Sequence, residues 1–344
     1  MALRPLAPAR DAALWARPFT ARRAANAFGL WRSFQRAKRS KAPRIGGMPF
    51  SISFEPTTAC NLRCPECPSG LRSFTRPTGN LKQDLFARVM DELGDDLWAL
   101  TFYFQGEPYI HPDFLDMVAM AARKGLYTST STNAHFLTEE KAEATVRSGL
   151  SRLIISLDGT DQHTYSAYRR EGELAKVIAG AERIVKWKRE LKSLTPHVVF
   201  QFLVVKPNER QVPEARALAK RIGVDDLWLK TAQVYDPRDD HPLIPTQDKY
   251  ARYRRNASGV WEVKNKLADN CWKMWHSCVI TWDGRVVPCC FDKDAHHVLG
   301  DLRTHSFREL WHSDAYNDFR RQLLTARNSI DMCRNCSEGS PVWA

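Results

Sequence analysis

No stretch of this 344-residue chain is apolar enough for long enough to cross a bilayer; the longest uncharged apolar run lies around Val198–Val205. A secretory h-region is also missing, because Arg4, Arg10 and Arg17 break the first residues into short pieces. Acidic residues are nearly absent from residues 1–45, which hold eleven Lys/Arg and only Asp11. Ten of the twelve net positive charges therefore belong to this arm, since the rest of the chain carries 40 Lys/Arg against 38 Asp/Glu. A body so close to neutral gives no argument from charge for nucleic-acid binding, and no RNA-binding module is recognisable. Low-complexity tracts and repeats beyond a β–α unit are lacking too. The expected location is cytoplasmic.

Cysteine is what the chain does have. There are nine, in two groups: Cys60, Cys64 and Cys67, then Cys271, Cys278, Cys289, Cys290, Cys333 and Cys336. An odd count with no secretion signal argues against a disulfide framework, and the tight spacings favour metal or cluster ligation.

From about residue 50 strand-like and helix-like segments alternate. Strands are expected at Ser51–Pro56, Trp98–Phe104, Leu126–Ser131, Arg152–Leu157, His197–Val205 and Asp226–Ala232. Helices are expected at Asp84–Leu93, Asp113–Lys124, Thr138–Ser148, Leu174–Lys192 and Val212–Ile222. Regular alternation implies parallel strands under covering helices. Six β–α units are too few to close an eight-fold barrel, so the fold class is α/β, a partial, open (β/α)6 TIM-like barrel. Chemistry in such folds sits on loops after the strands' C-terminal ends. The expected organisation is a basic arm (1–45), a barrel core (46–235), a polar connector (236–270) and a small cysteine-rich domain (271–344).

Cys60-Asn61-Leu62-Arg63-Cys64-Pro65-Glu66-Cys67 follows the first strand with C-x3-C-x2-C spacing. Three thiolates on one loop can each take a different iron of a cubane, leaving the fourth iron open to a ligand. A zinc site would want four ligands, and no further Cys or His lies nearby. This motif resembles the radical SAM superfamily. The resemblance implies a [4Fe–4S] cluster on Cys60, Cys64 and Cys67 that binds S-adenosylmethionine (SAM) at its open iron. It further implies reductive cleavage of the sulfonium to a 5′-deoxyadenosyl radical that abstracts a substrate hydrogen. Gln105-Gly106-Glu107-Pro108 resembles the family's G-G-E-P segment, with Gln105 in place of the first glycine. Gly106, Glu107 and Pro108 are thereby expected at the SAM amino group. Ser131-Thr132-Asn133 resembles the polar segment after the third strand, and Ser156-Leu157-Asp158-Gly159 the S-x-D-G segment after the fourth. Thr132, Asn133, Ser156 and Asp158 are expected near SAM, and Arg169 at its carboxylate.

Cys271-x12-Gly284-x4-Cys289 followed by Cys333-x2-Cys336 resembles the SPASM or shorter twitch extension. The resemblance implies one auxiliary [4Fe–4S] cluster on Cys271, Cys289, Cys333 and Cys336, with Cys278 the alternative to Cys271. Asp283-Gly284 reads as a hairpin turn that brings the early cysteines beside Cys289. If Cys289 and Cys290 continue that strand they point to opposite faces, so both are not expected on one cluster. By analogy the auxiliary cluster accepts or relays an electron, and Asp292 is a candidate base for the accompanying proton. Four tryptophans, Trp272, Trp275, Trp282 and Trp311, are expected in the core of the small domain.

The leading expectation is a radical SAM enzyme that oxidises or cross-links a peptide, protein or sugar-type substrate. Its electron donor would be a flavodoxin or ferredoxin. Competing readings are a radical SAM enzyme acting on RNA and a non-catalytic iron–sulfur electron-transfer protein. The arm, with Trp15, Phe19, Phe28, Trp31 and Phe34 among its arginines, suits an amphipathic helix. Such a helix either packs beside the barrel or touches an anionic membrane surface or acidic partner.

Overall fold

The computed structural model describes residues 7–265 and 267–336. The outermost parts of the expected arm and cysteine-rich domain, residues 1–6 and 337–344, lie outside the described residues.

The alternating segments form the expected units with ends shifted by up to three residues, most in the second strand, which stops at Thr101 rather than Phe104. Strands β1 (Ser51–Phe54), β2 (Ala99–Thr101), β3 (Tyr127–Thr132), β4 (Arg152–Ser156), β5 (His197–Val204) and β6 (Asp226–Thr231) lie side by side in chain order, all parallel. Between them run helices Gln83–Leu93, Phe114–Arg123, Glu139–Arg147, Leu174–Glu190 and Val212–Ile222. A further short helix, Gln162–Tyr168, was not expected; Asp161 caps it by accepting from Thr164 N at 2.8 Å.

The strands' two faces differ in chemistry. Ile52, Phe54, Leu100, Phe102, Leu153, Ile155, Phe200 and Phe202 are buried against helix residues such as Phe86, Met117, Val177 and Ala215. Burying each large side chain contributes roughly 1.5–3 kcal/mol. The alternating residues Ser51, Ser53, Thr101, Ser131, Gln201, Trp228 and Lys230 stay partly accessible and line the opposite, concave side with polar groups.

The cysteine-rich segment departs from the expected layout. Strands β7 (Tyr253–Arg255) and β8 (Trp261–Val263) form a separate hairpin within the expected connector. Beyond it, β9 (Ser277–Ile280), β10 (Arg285–Val287) and β11 (Gly300–Asp301) extend the barrel sheet itself. Strand β9 pairs parallel with β1 (Ile52 opposite Cys278), and β10 and β11 follow antiparallel. This addition covers β1's otherwise unpaired edge. The tryptophans accordingly join the segment to the rest of the molecule. Trp275 is fully buried against Phe34, and Trp311 donates to Gly47 O at 2.9 Å.

The arm is folded onto the body. Helix Ala7–Ala16 closes the N-terminal ends of β3 and β4: Asp11 accepts from Tyr127 Oη at 2.7 Å and ion-pairs with Arg152. Helix Ala21–Ser40 is capped by Thr20 and buries Leu30, Phe34 and Ala37. Its Gly29 meets Gly46 so closely that an added Cβ would sit 2.3 Å from Gly46 O. Among the described residues no helix is long and apolar enough to cross a membrane.

Candidate active site

The loop after β1 is fastened before it reaches the cysteines. Glu55 is fully buried and receives both terminal nitrogens of Arg76, one at 2.8 Å; Thr58 N donates to Gly79 O at 3.1 Å. Nothing in the sequence marked this pair, because a lone Glu at a strand end acquires its partner only through folding. Between these anchors Cys60, Cys64 and Cys67 turn toward one another at the C-terminal ends of the strands. Cys64 is buried and the other two are half-buried. Burial pushes the Cys60 thiol up to about 12, helped by Glu107, Cys64 and Cys67. Burial likewise raises Cys64, opposed by Arg169. Thiols so placed resist losing their protons unless a bound metal replaces them. Among the described residues no three His, Cys, Asp or Glu side chains are grouped to hold a single metal ion. Three thiols from one loop suit three irons of a cubane.

Glu107 stands beside the cysteines on the loop after β2. It is 2% exposed; Oε1 accepts from Thr132 Oγ1 at 2.6 Å and Tyr109 N at 3.3 Å, and Oε2 from Asn133 N at 2.7 Å. Burial raises its pKa, while these three donors pull it down. Gly106 makes the approach possible. Its φ is +76°, and a Cβ there would lie 2.1 Å from Thr57 O. Its amide donates to Ser69 Oγ at 2.9 Å, and Glu107 N to Ala59 O at 2.7 Å, tying this segment to the cysteine loop. Pro108 begins the short turn Pro108–Ile110 that Glu107 caps. Asn133 Nδ2 donates to Asn61 Oδ1 at 2.8 Å and lies 3.9 Å from Cys60 Sγ. Gln105 is buried, with its amide oxygen 3.7 Å from Cys67 Sγ.

Asp158 and Arg169 complete the ring. Asp158 is fully buried at the end of β4, ion-paired with Arg169, and accepts from Leu203 N at 2.7 Å. Arg169 Nη1 lies 3.7 Å from Cys64 Sγ. Burial works against this guanidinium, but Asp158, Cys64, Tyr168 and Tyr165 together hold its pKa above the arginine range. Asn208 Nδ2 supports Asp158 through its carbonyl at 3.0 Å, a contact no motif announced. Ser156 is buried at the end of β4, opposite Gln201.

A second cavity is lined by Cys271, Cys289, Cys333 and Cys336, with Lys273, Met274, Phe291 and Arg327 around them. Burial pushes Cys333 up to about 11, opposed by Arg327. Arg327 Nη2 lies 3.7 Å from Cys336 Sγ, and Nη1 donates to Asn270 O at 2.7 Å. These four thiols suit a second cluster with its ligands supplied by protein. Cys278 sits elsewhere, buried on β9 close to Tyr316. Two expectations change here. Strand alternation does not govern Cys289 and Cys290, because β10 ends at Val287 and both lie in the turn beyond it. Asp292 caps that turn: its oxygens accept from His296 N at 2.8 Å and His297 N at 2.9 Å. The carboxylate expected as a base is thus engaged by backbone amides.

Tyr103 and Lys273 were missed by motif reading. Tyr103, just past β2, is 38% exposed, and the charges of Cys290 and Lys273 act on its hydroxyl in opposite senses, Cys290 raising its pKa and Lys273 lowering it. Lys273 Nζ lies 3.5 Å from Cys290 Sγ.

Comparison with known proteins gives this geometry its context. Residues 54–216 match the radical SAM superfamily, and residues 271–337 match SPASM, an iron–sulfur cluster-binding domain. The chain is 30% identical over 301 residues to a PqqA peptide cyclase of Rhodopseudomonas palustris, covering 80% of this chain and 76% of that protein. It is 27% identical over 329 residues to the tungsten-containing aldehyde ferredoxin oxidoreductase cofactor-modifying protein of Pyrococcus furiosus, covering 83% and 86%. The structure of Streptococcus suis SuiB bound to S-adenosylmethionine superposes with a TM-score of 0.61 at 13% identity, covering 91% of this chain and 77% of that one. A parallel barrel sheet, a three-cysteine loop at its mouth and a second cysteine-lined cavity thus meet both family patterns, and the chain belongs to the radical SAM superfamily as an enzyme of the SPASM type that uses [4Fe–4S] clusters and SAM.

Proposed function

We propose that this enzyme modifies a peptide, with Cys60, Cys64 and Cys67 holding the SAM-binding cluster. One observation carries the site assignment: the three thiols, Glu107 and the Asp158–Arg169 pair surround one mouth at the ends of β1 to β4. The cluster and SAM, when bound, supply one-electron cleavage of a sulfonium and a carbon radical able to abstract hydrogen. The protein's part is positional. Glu107 accepts from the ammonium of the methionyl group, and Gly106 lets the backbone come close. Arg169, held by Asp158, offers N–H donors to the carboxylate. Thr132 and Asn133 keep Glu107 oriented, and Ser156 ends the strand that presents Asp158. A substrate would enter the concave space beside Tyr103, Gln201 and Lys230, whose polar groups can hold peptide amides and side chains.

Support for a peptide comes from the R. palustris relative, named for acting on a peptide. One auxiliary cluster on Cys271, Cys289, Cys333 and Cys336 would take the electron released when a hydrogen-depleted product forms, and a flavodoxin or ferredoxin would supply the priming electron. The test is anaerobic reconstitution with SAM, dithionite and the peptide encoded nearest the gene. The expected products are 5′-deoxyadenosine and a peptide lighter by two hydrogens. Cys60→Ala, Cys64→Ala and Cys67→Ala each abolish both. No 5′-deoxyadenosine from iron-loaded wild type would end the cofactor reading. Its formation without change in any peptide would end only the substrate reading.

A further inference from the structure

The helix Ala21–Ser40 has two faces. Arg23, Leu30, Ser33, Phe34 and Ala37 are buried against the body. Helical periodicity puts Ala25, Phe28, Arg32, Arg36 and Arg39 on the opposite side, and all five are exposed. Phe28 is 56% and Trp31 48% exposed; their rings stack at 5.8 Å, with Arg32 over Phe28 at 5.8 Å. Just ahead of the helix Phe19 is 65% exposed, the second most exposed large hydrophobic among the described residues.

The charge of this region is one-sided. The helix contains no acidic residue, and Asp11, the one acid of residues 1–45, is turned to Arg152. Arg22 is engaged by Asp95 and Asp96, but it stands at the start of the helix, apart from the Arg32–Arg39 stretch. Residues 1–53 also fall outside both matched family regions, so the enzyme's common machinery does not account for the aromatic and basic side chains.

A convex helix surface offers no groove for a peptide side chain. Exposed Trp and Phe interleaved with arginines suit a soft anionic layer. There the rings enter the boundary between headgroup and acyl chain while guanidiniums reach phosphates. We propose that the outer face of helix Ala21–Ser40 docks this enzyme on an anionic lipid bilayer. The docking face takes no part in either cysteine site, so it sets where the enzyme works and leaves SAM cleavage in solution unchanged.

The test is flotation of the full-length, iron-loaded protein with vesicles of phosphatidylcholine alone and of phosphatidylcholine mixed with phosphatidylglycerol. Wild type is expected to float with the mixed vesicles, to stay behind with neutral ones, and to release at high salt. Removing three cations with Arg32→Gln, Arg36→Gln and Arg39→Gln should weaken binding on the order of a hundredfold. Phe28→Ala with Trp31→Ala should weaken it about tenfold or more. Unchanged iron content and 5′-deoxyadenosine formation show that the variants remain folded. Wild type that ignores the anionic lipid overturns the proposal without recourse to any variant. Binding that needs the arginines but ignores both rings also overturns it, because charge alone would then hold the lipid and the aromatic face would not be docked.

Discussion

Replacing Glu107 by Gln tests the SAM site at its most constrained point. An ionised carboxylate has about four acceptor positions, and Glu107 uses three: Thr132 Oγ1 and Tyr109 N at Oε1, Asn133 N at Oε2. About one position, on Oε2, is left for an ammonium. The amide can keep its oxygen toward Asn133 N and turn its NH2 to Thr132, whose hydroxyl rotates to accept. Tyr109 N, the longest of the three at 3.3 Å, then loses its partner. The remaining acceptor survives but loses its charge. A charged hydrogen bond exceeds a neutral one by roughly 1–1.5 kcal/mol, so SAM should bind about tenfold more weakly. Glu107→Ala orphans two buried backbone amides and should destabilise the fold by roughly 2–6 kcal/mol. Equilibrium dialysis of SAM against anaerobically reconstituted protein, with thermal unfolding alongside, separates the effects. Glu107→Gln protein with a full iron complement and wild-type SAM affinity would refute the assignment of Glu107 to the ammonium.

Three further outcomes follow from the geometry. Gln105→Gly removes the amide whose oxygen faces the Cys67 sulfur, and with it the negative end of a dipole that would disfavour a reduced cluster; the cluster's midpoint potential, read by EPR redox titration, should rise, and an unchanged potential would show that the amide does not reach it. Cys271→Ala should lose about four of roughly eight irons per chain while Cys278→Ala keeps them, because only the former lines the auxiliary cavity; equal iron counts would contradict that ligand set. His276, stacked on Phe50 at 4.6 Å, is lowered to about 4 by burial and by Lys273. The unfolded chain takes that proton near pH 6.5, so the contribution to stability is complete above that pH. It is lost as pH falls toward 4, at up to about 1.4 kcal/mol per unit. Melting temperatures of wild type should therefore drop more steeply than those of His276→Phe between these limits; parallel curves would rule out His276 as the cause.

Much of this protein is written in local order. The six strands, the five expected helices between them and the C-x3-C-x2-C loop follow from period and spacing, which short-range sterics and burial enforce. Glu107, Thr132, Asn133 and Asp158 could be singled out because they lie at or just past strand ends, where parallel sheets carry their chemistry, and Arg169 by its spacing in the family resemblance. Even the choice of Cys271, Cys289, Cys333 and Cys336 matches one lined cavity, although alternation was the wrong reason for setting Cys290 aside.

Tertiary structure decided whatever depends on partners distant in the chain. Strand β9 pairs with β1 across more than two hundred residues, and no local pattern records which edge a hairpin will cover. Glu55 needs Arg76, Asp158 needs Asn208 and Leu203, and Asp11 needs Arg152; each is an ordinary surface residue until folding supplies a neighbour. Asp292 shows the reverse case, a plausible base until the chain closes a turn around it. Spacing fixes which thiols can share a loop, because covalent geometry is local. Which polar groups face one another across the mouth is set by how the sheet curls, and that is a property of the whole core.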